Sequence, residues 1–261
     1  MIHVGVGGWT YAPWRGSFYP KDLPQTQELG FASRHLTSIE VNGTFYRTQA
    51  PATFRKWAGE APDGFVFALK GPGYVTNRRE LRESGPSIAR FLESGITELG
   101  AKLGPILWQL DHTKRFVAEE LEGFLELLPR ALSGTPIRHA LEVRHDSFKT
   151  PEFVALMRRF DWPVVYAHSD KYPEIADLTG DFVYARLQRS SADHEAGYAP
   201  DDLDAWAGRA KTWKDGGEPP DLPSIAGPAP PGKRDCFLYF ISGAKERNPA
   251  AAMALIERLS R

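Results

Sequence analysis

The chain has 261 residues, 42% of them hydrophobic and 25% charged, with a formal net charge of −1, which fits an ordinary soluble globule of one large α/β domain or two small ones. That balance gives no global drive towards nucleic acid or an anionic membrane. The single cysteine, Cys236, excludes an internal disulfide framework and a cysteine-rich zinc site, and its apolar surroundings read as a buried, inert thiol.

From the N-terminus, Met1-Ile2-His3-Val4-Gly5-Val6 shows no basic segment followed by an apolar stretch and a cleavage site. No apolar run approaches the length of a membrane span, so a cytoplasmic location is the expectation. Short apolar runs then alternate with helical patterns. Strands are expected at 3–7, 38–42, 66–70, 105–110, 139–144, 163–169, 182–188 and 235–241. Between them, helices are expected at 28–36, 51–60, 85–99 and 117–132, the last with Leu121, Phe124, Leu125 and Leu128 as one apolar stripe. Pro151 opens the next helix at a favoured first position. Residues 173–178 make a poor helix or only a turn. Residues 201–213 begin with acidic residues in the first turn, and 249–259 form a final alanine-rich helix.

Eight strands alternating with helices predict a parallel sheet, and in this length a single (β/α)8 TIM-barrel-like domain over 1–261 fits better than two open sheets. A doubly wound sheet is the runner-up. The segment 215–234 stands apart. Six prolines between Glu218 and Gly232 exclude a regular helix or a central strand, so it is expected to be a mobile surface spacer on the bottom face.

Side chains alternate along a strand. Ile39 and Val41 oppose Glu40 and Asn42, and Leu141 and Val143 oppose Glu142 and Arg144. Phe67 and Leu69 oppose Ala68 and Lys70. Val165 and Ala167 oppose Tyr166 and His168. Val183, Ala185 and Leu187 oppose Tyr184, Arg186 and Gln188. The aliphatic faces should meet the helices, and the polar faces should point into the barrel and gather at its C-terminal mouth. A solvated edge explains such alternation on one strand and fails for five. A structural ion-pair network inside the barrel is the competing explanation.

The mouth is therefore expected to hold Glu40, Glu142, Lys70, Arg144, Arg186, His145 and His168, with Asn42, Gln109 and Gln188, and with Arg15 as a further cation from the first loop. This bias towards positive charge favours an anionic or strongly hydrogen-bonding ligand. Trp9, Tyr11, Trp14, Phe45, Tyr46 and Tyr74 offer rings for stacking. Glu40 and Glu142 are candidates for an acid/base pair, although Arg144 beside Glu142 favours an ionised base or a salt bridge over a proton donor. His145 is a candidate proton shuttle. The metal reading is weaker: there is no His-x-His, no HExxH and no dense carboxylate cluster, so neither a metal nor another cofactor is expected. "GVGG" at 5–8 lacks the helix that a dinucleotide loop needs, and the adjacent residues of "HSD" at 168–170 cannot face one another as a triad.

Six motifs carry a resemblance: "GWTYAPWRGSFYP" (8–20), "SIEVNGTFYR" (38–47), "GFVFALKGP" (64–72), "LGPILWQL" (103–110), "ALEVRHDSF" (140–148) and "DFVYARLQ" (181–188). In this order the chain resembles the YecE-like family, a domain of unknown function numbered seventy-two, over nearly its whole length. The resemblance implies a TIM-barrel-like fold and no established reaction. It carries the family's polar positions onto Trp9, Tyr11, Trp14, Arg15, Glu40, Asn42, Thr44, Tyr46, Lys70, Gln109, Glu142, Arg144, His145 and Arg186. The family's usual His-Gly is replaced here by Gln188-Arg189, and its Phe-Asn-Asn-Asp by Phe240-Ile241-Ser242-Gly243, which puts a role for that side of the cleft in doubt.

The functional expectation is a hydrolase-like, metal-independent enzyme acting on an anionic or sugar-containing small molecule. Glu40, Glu142 and His145 would be catalytic. Trp9, Tyr11, Trp14, Arg15, Asn42, Tyr46, Lys70, Gln109, Arg144, His168, Arg186 and Gln188 would bind substrate. Two alternatives stand beside it: a nuclease-like protein acting on nucleic acid, which the near-neutral charge disfavours, and a ligand-binding barrel without catalysis. The sequence does not address oligomeric state.

Overall fold

In the computed structural model, which describes residues 1–261, the eight expected runs form one parallel sheet. We label its strands β1 (Ile2–Gly7), β2 (Ser38–Val41), β3 (Val66–Lys70), β4 (Leu103–Gln109), β5 (His139–Glu142), β6 (Tyr166–His168), β7 (Phe182–Leu187) and β8 (Asp235–Phe240). They are hydrogen-bonded in sequence order, with β1 beside β8. A parallel bridge between Leu141 and Val164 joins β5 to the β6 side, where Leu141 N–H donates to Pro163 O and Val165 N–H to Leu141 O. The ring is thereby closed into a barrel. No helix of the chain is long and apolar enough to cross a membrane.

The outer layer is uneven. Helices Glu28–His35, Pro51–Glu60, Gly85–Leu92, Ala118–Glu126, Pro151–Phe160, Pro200–Lys214 and Asn248–Ser260 surround the strands. Two expected helices are cut short. The 85–99 pattern ends at Leu92, because Gly95 takes a left-handed φ of 102° and a tight helix, Ile96–Lys102, follows. The 117–132 pattern ends at Glu126: Pro129 cannot continue it, and Ala131–Leu132 pairs with Thr135–Pro136 in a small hairpin.

Residues 173–178 form no helix, leaving a gap in the outer layer between β6 and β7. The proline-rich segment fills this gap and is anchored there, in contrast to the mobile spacer expected. The buried Asp177 carboxylate accepts from Ile225 N–H at 2.8 Å and Ala226 N–H at 2.7 Å. Ala176 N–H donates to Pro223 O, Arg158 donates to Gly227 O, and Glu218 accepts from Ala229 N–H. Leu222, Ile225, Ala226 and Ala229 pack against the core. Proline lacks an N–H, so such a segment cannot hold itself by ladder bonds and relies on side chains that reach its few free amides.

The aliphatic strand faces meet the helices in one core. Inside the barrel a second, smaller cluster holds Ala68, Leu107, Ala140, Val165, Phe182, Tyr184, Phe237, Tyr239 and Ile241. Its upper half is polar: the Ser38 hydroxyl lies 2.7 Å from Tyr239 OH and donates to Val66 O. Gly5 faces β2 so closely that an added Cβ would stand 1.9 Å from Ser38 O, so only glycine fits there.

Candidate active site at the barrel mouth

Just below the C-terminal rim, β2, β4, β5 and β7 send inward side chains to a common centre. Arg186 lies between Glu40 and Glu142, and all three are buried. Its Nε and Nη2 donate to Glu40 Oε2 and Oε1, each at 3.1 Å, and its Nη1 donates to Glu142 Oε2 at 2.6 Å. Tyr184 OH donates to Glu40 Oε2 at 2.7 Å, Gln109 Nε2 to Glu142 Oε2 at 2.7 Å, and Arg144 Nε to Glu142 Oε1 at 3.0 Å. Every carboxylate oxygen therefore has a donor, as buried charge requires. Burial alone would push the Glu142 carboxyl up, but Arg186, Arg144 and the Gln109 amide outweigh it and hold it at about 2. Burial likewise works against the Arg186 charge, and the two carboxylates more than restore it.

Neither glutamate presents an oxygen to the mouth, since both are wholly buried and saturated with donors. The two glutamates expected as an acid/base pair are joined through Arg186, and with Arg144 they form a charge-neutral frame. Lys70, at the end of β3, borders this frame. Burial, with Arg186 beside it, lowers its ammonium to about 8, against the weaker pull of Glu40 and Glu142. Its Nζ lies 4.2 Å from the centre of the Phe45 ring.

Above the frame, the loops after β5, β6, β7 and β8 enclose a polar cavity of about 460 Å³. Ser169, Asp170, Lys171 and Tyr172 line it from the β6 loop, Gln188, Arg189, Ser190, Ser242 and Gly243 from the β7 and β8 loops, and Arg144, from the β5 loop, connects it to Glu142. Three cations against one carboxylate give this lining a positive bias, although Arg189 is already paired with Asp170 and Glu174. Arg144 uses only its Nε within the protein. Its guanidinium stacks 4.2 Å over Tyr172, leaving the two Nη groups without a protein acceptor. Gln188 Nε2 is buried without a partner. Two further cavities, about 430 and 490 Å³, both include Met1 and His3 and lie at the opposite, N-terminal end of the strands, and one of about 450 Å³ lies between the outer helices Glu28–His35 and Pro51–Glu60.

Several expected mouth residues lie elsewhere. Trp14 is 1% exposed and donates its indole N–H to Lys245 O, packed by Tyr11, Phe18 and Tyr19. Trp9 packs edge-on against Trp57 of an outer helix and lines a small cleft there. Arg15 pairs with the buried Glu28 at 2.9 Å and adds no charge to the mouth. His168 points outward against Trp206 of Pro200–Lys214, and Tyr166 reaches Trp206 and Trp213 of the same helix. The β6 faces are thus the reverse of the expectation: large rings cover the helix side, and Val165 fills the interior.

Other expected residues remain near the rim. Tyr11 sits under the Lys245 ammonium, Asn42 approaches Gly7 and Glu40 O, and Tyr46 is exposed beside Phe45. His145 is bonded only to Ser147: its Nδ1 accepts from Ser147 N–H, which leaves Nε2 free but outside the carboxylate frame. No three of the chain's His, Cys, Asp and Glu side chains converge as metal ligands do. Cys236 is buried, and burial pushes its thiol up to about 12. Lys171, Tyr172, Arg189, Ser190 and Ser242 were not expected. They come from loops without periodicity, and only the "RLQR" run hinted at the β7 side.

The barrel and its motifs have counterparts. The curated UPF0759 protein YunF of Bacillus subtilis (strain 168) is 26% identical over 162 residues, 59% of this chain and 54% of that protein. The match thus spans about half the length of that relative. A DUF72 family protein from Thermotoga maritima MSB8 superposes over the whole of both chains with a TM-score of 0.75 at 21% identity. Another from Enterococcus faecalis V583 covers 100% of this chain and 96% of its own, with a TM-score of 0.71 at 15% identity. A fusion protein described as xylose isomerase-like TIM barrel/4-hydroxyphenylpyruvate dioxygenase aligns with a TM-score of 0.50 at 15% identity, over 98% of this chain and 43% of that one. At such identities the structural likenesses show the TIM-barrel fold alone. The family model described as protein of unknown function DUF72 matches residues 3–261, and the chain belongs to that family.

Proposed function

We propose that the protein is an enzyme that binds a small anionic, polar molecule at the C-terminal mouth and acts on it by proton transfer among its own side chains. One observation carries the reading. Arg144 is held by Glu142 on one edge and by Tyr172 on its face, and its unused Nη pair borders a polar cavity of about 460 Å³. A planar pair of N–H groups fixed in this way suits a carboxylate or phosphate bidentately. The cavity falls within the range of small-metabolite sites. Its position after β5–β8 is also where barrel enzymes place their chemistry and frequently hold phosphate. On this reading Glu40, Glu142 and Arg186 keep the electrostatic frame rigid, and Lys70 and the free Nε2 of His145 are the groups left to move protons.

The test is a thermal-shift screen of sugar phosphates and short carboxylic acids against their uncharged counterparts. Anionic compounds are expected to raise the melting temperature, less so at high salt. Lys171→Ala and Arg144→Lys, the second of which keeps the charge but removes the fork, are expected to reduce the shift. Equal shifts with neutral compounds, or shifts unchanged in both variants, would overturn the proposal.

A further inference from the structure

Among the charged groups of the buried cluster, Lys70 alone has no hydrogen-bond or ion-pair partner. Glu40, Glu142 and Arg186 are joined to one another, and Arg144 is joined to Glu142. Two carboxylates already balance two guanidiniums, so the cluster is neutral without a proton on Lys70. Lys70 is buried but not sealed: the residue is 8% exposed, and its nitrogen keeps some solvent access. Its Nζ sits over the Phe45 ring, 4.2 Å from the centroid. A lysine held for structure would be expected to pair with one of the two nearby carboxylates; instead both are occupied by Arg186.

We propose that Lys70 is a nucleophile, its ε-amine condensing with the aldehyde or ketone carbonyl of the substrate to form a Schiff base. The amine lone pair attacks the carbonyl carbon, and the π pair moves onto oxygen, which takes a proton. The carbinolamine then loses that oxygen as water while nitrogen gives up its proton, leaving a C=N bond; one amine and one carbonyl yield one imine and one water. Desolvation and a neighbouring cation are the two devices that free a lysine for this chemistry. Both are present in the groups facing it: Glu40 on β2, Glu142 and Arg144 from the β5 end, Arg186 on β7, and the Phe45 ring. Burial and Arg186 bring the amine to about 8, so a useful fraction is uncharged at neutral pH. A protonated imine restores one positive charge beside Glu40 and Glu142. The substrate class is accordingly an anionic carbonyl compound. Its anionic part rests on the reading of the Arg144 cavity above, and its carbonyl part does not.

The experiment is reductive trapping. The intact protein is incubated at neutral pH with cyanoborohydride and either propionaldehyde, which is uncharged, or glyceraldehyde 3-phosphate, and adducts are located by peptide mass mapping. Hydride adds to the imine carbon and fixes the adduct as a secondary amine. With propionaldehyde, Lys70 is expected to react roughly tenfold or more faster than exposed lysines such as Lys21 and Lys56, as its lowered affinity for protons implies. That preference should fade towards pH 10, and the adduct should be absent from Lys70→Arg. The phosphate-bearing probe is expected to react faster still, with the excess lost in Lys171→Ala. Preferential propionaldehyde labelling of Lys70 without a phosphate advantage would keep the nucleophile and remove the anion site. Labelling of Lys70 no faster than of the exposed lysines would overturn the nucleophile, whatever the anion screen shows.

Discussion

Arg186 donates to both glutamates at once, and its replacement separates structural from chemical roles. Arg186→Met would leave two buried carboxylates facing each other without their shared cation. Breaking a buried ion pair in this way costs about 3–5 kcal/mol. Urea denaturation is expected to show a loss of that order, and a loss under about 1 kcal/mol would mean that water already solvates the frame. At this scale the sequence was most legible where chemistry and alternation agree. Glu40, Lys70, Gln109, Glu142 and Arg186 sit on inward positions because their strand neighbours are apolar and must face helices. It was least legible in the aromatic first loop. Trp14 and Arg15 look like ligand-binding groups by type. However, the loop folds back, so that Trp14 caps the Lys245 carbonyl and Arg15 neutralises Glu28. Nothing in residue type or spacing distinguishes a ring that lines a cleft from one that plugs a loop.

Among the elements, β6 and the proline-rich segment explain each other. β6 has only three residues, and no helix follows it, so Tyr166 and His168 turn outward to the long helix Pro200–Lys214 and the segment 215–234 covers the remaining gap. Periodicity is a poor guide in so short a strand, because two aromatic residues satisfy either face. The segment's composition correctly excluded helix and strand, but composition cannot reveal a single buried carboxylate elsewhere that binds it. Asp177 is that carboxylate, and Asp177→Ala removes the acceptor for two backbone amides. Limited proteolysis is expected to cut the variant within 218–230 while leaving the wild type intact there, with a stability loss of about 1–3 kcal/mol. Equal resistance in both proteins would show that apolar packing of Leu222 and Ile225 suffices.

For the molecule as a whole, the barrel divides into a neutral, tightly paired interior and a cationic rim, and its stability should respond to acid in two stages. Burial holds the His139 imidazole at about 4, and burial together with Arg189 does the same for His168, against 6.5 for an ordinary histidine. Between those values the unfolded chain binds more protons than the fold, so stability falls as pH drops from about 6.5 to about 4. Glu142, held at about 2 against an ordinary 4.5, loses its contribution from about pH 4.5 down through about 2. Melting temperatures measured across pH 7 to 3 should decline from the first stage onward, and His139→Asn should blunt the upper part; a flat profile down to pH 4.5 would contradict the buried neutral histidines. The central claim, however, is that the rim between β5 and β8 receives an anion. Its most direct test is a crystal structure of the protein with a bound sugar phosphate. The account predicts the phosphate against the Arg144 Nη pair, within reach of Lys171 and the 188–190 and 242–243 loops. A ligand seated instead at the N-terminal end of the barrel, beside His3 and Arg138, would contradict it.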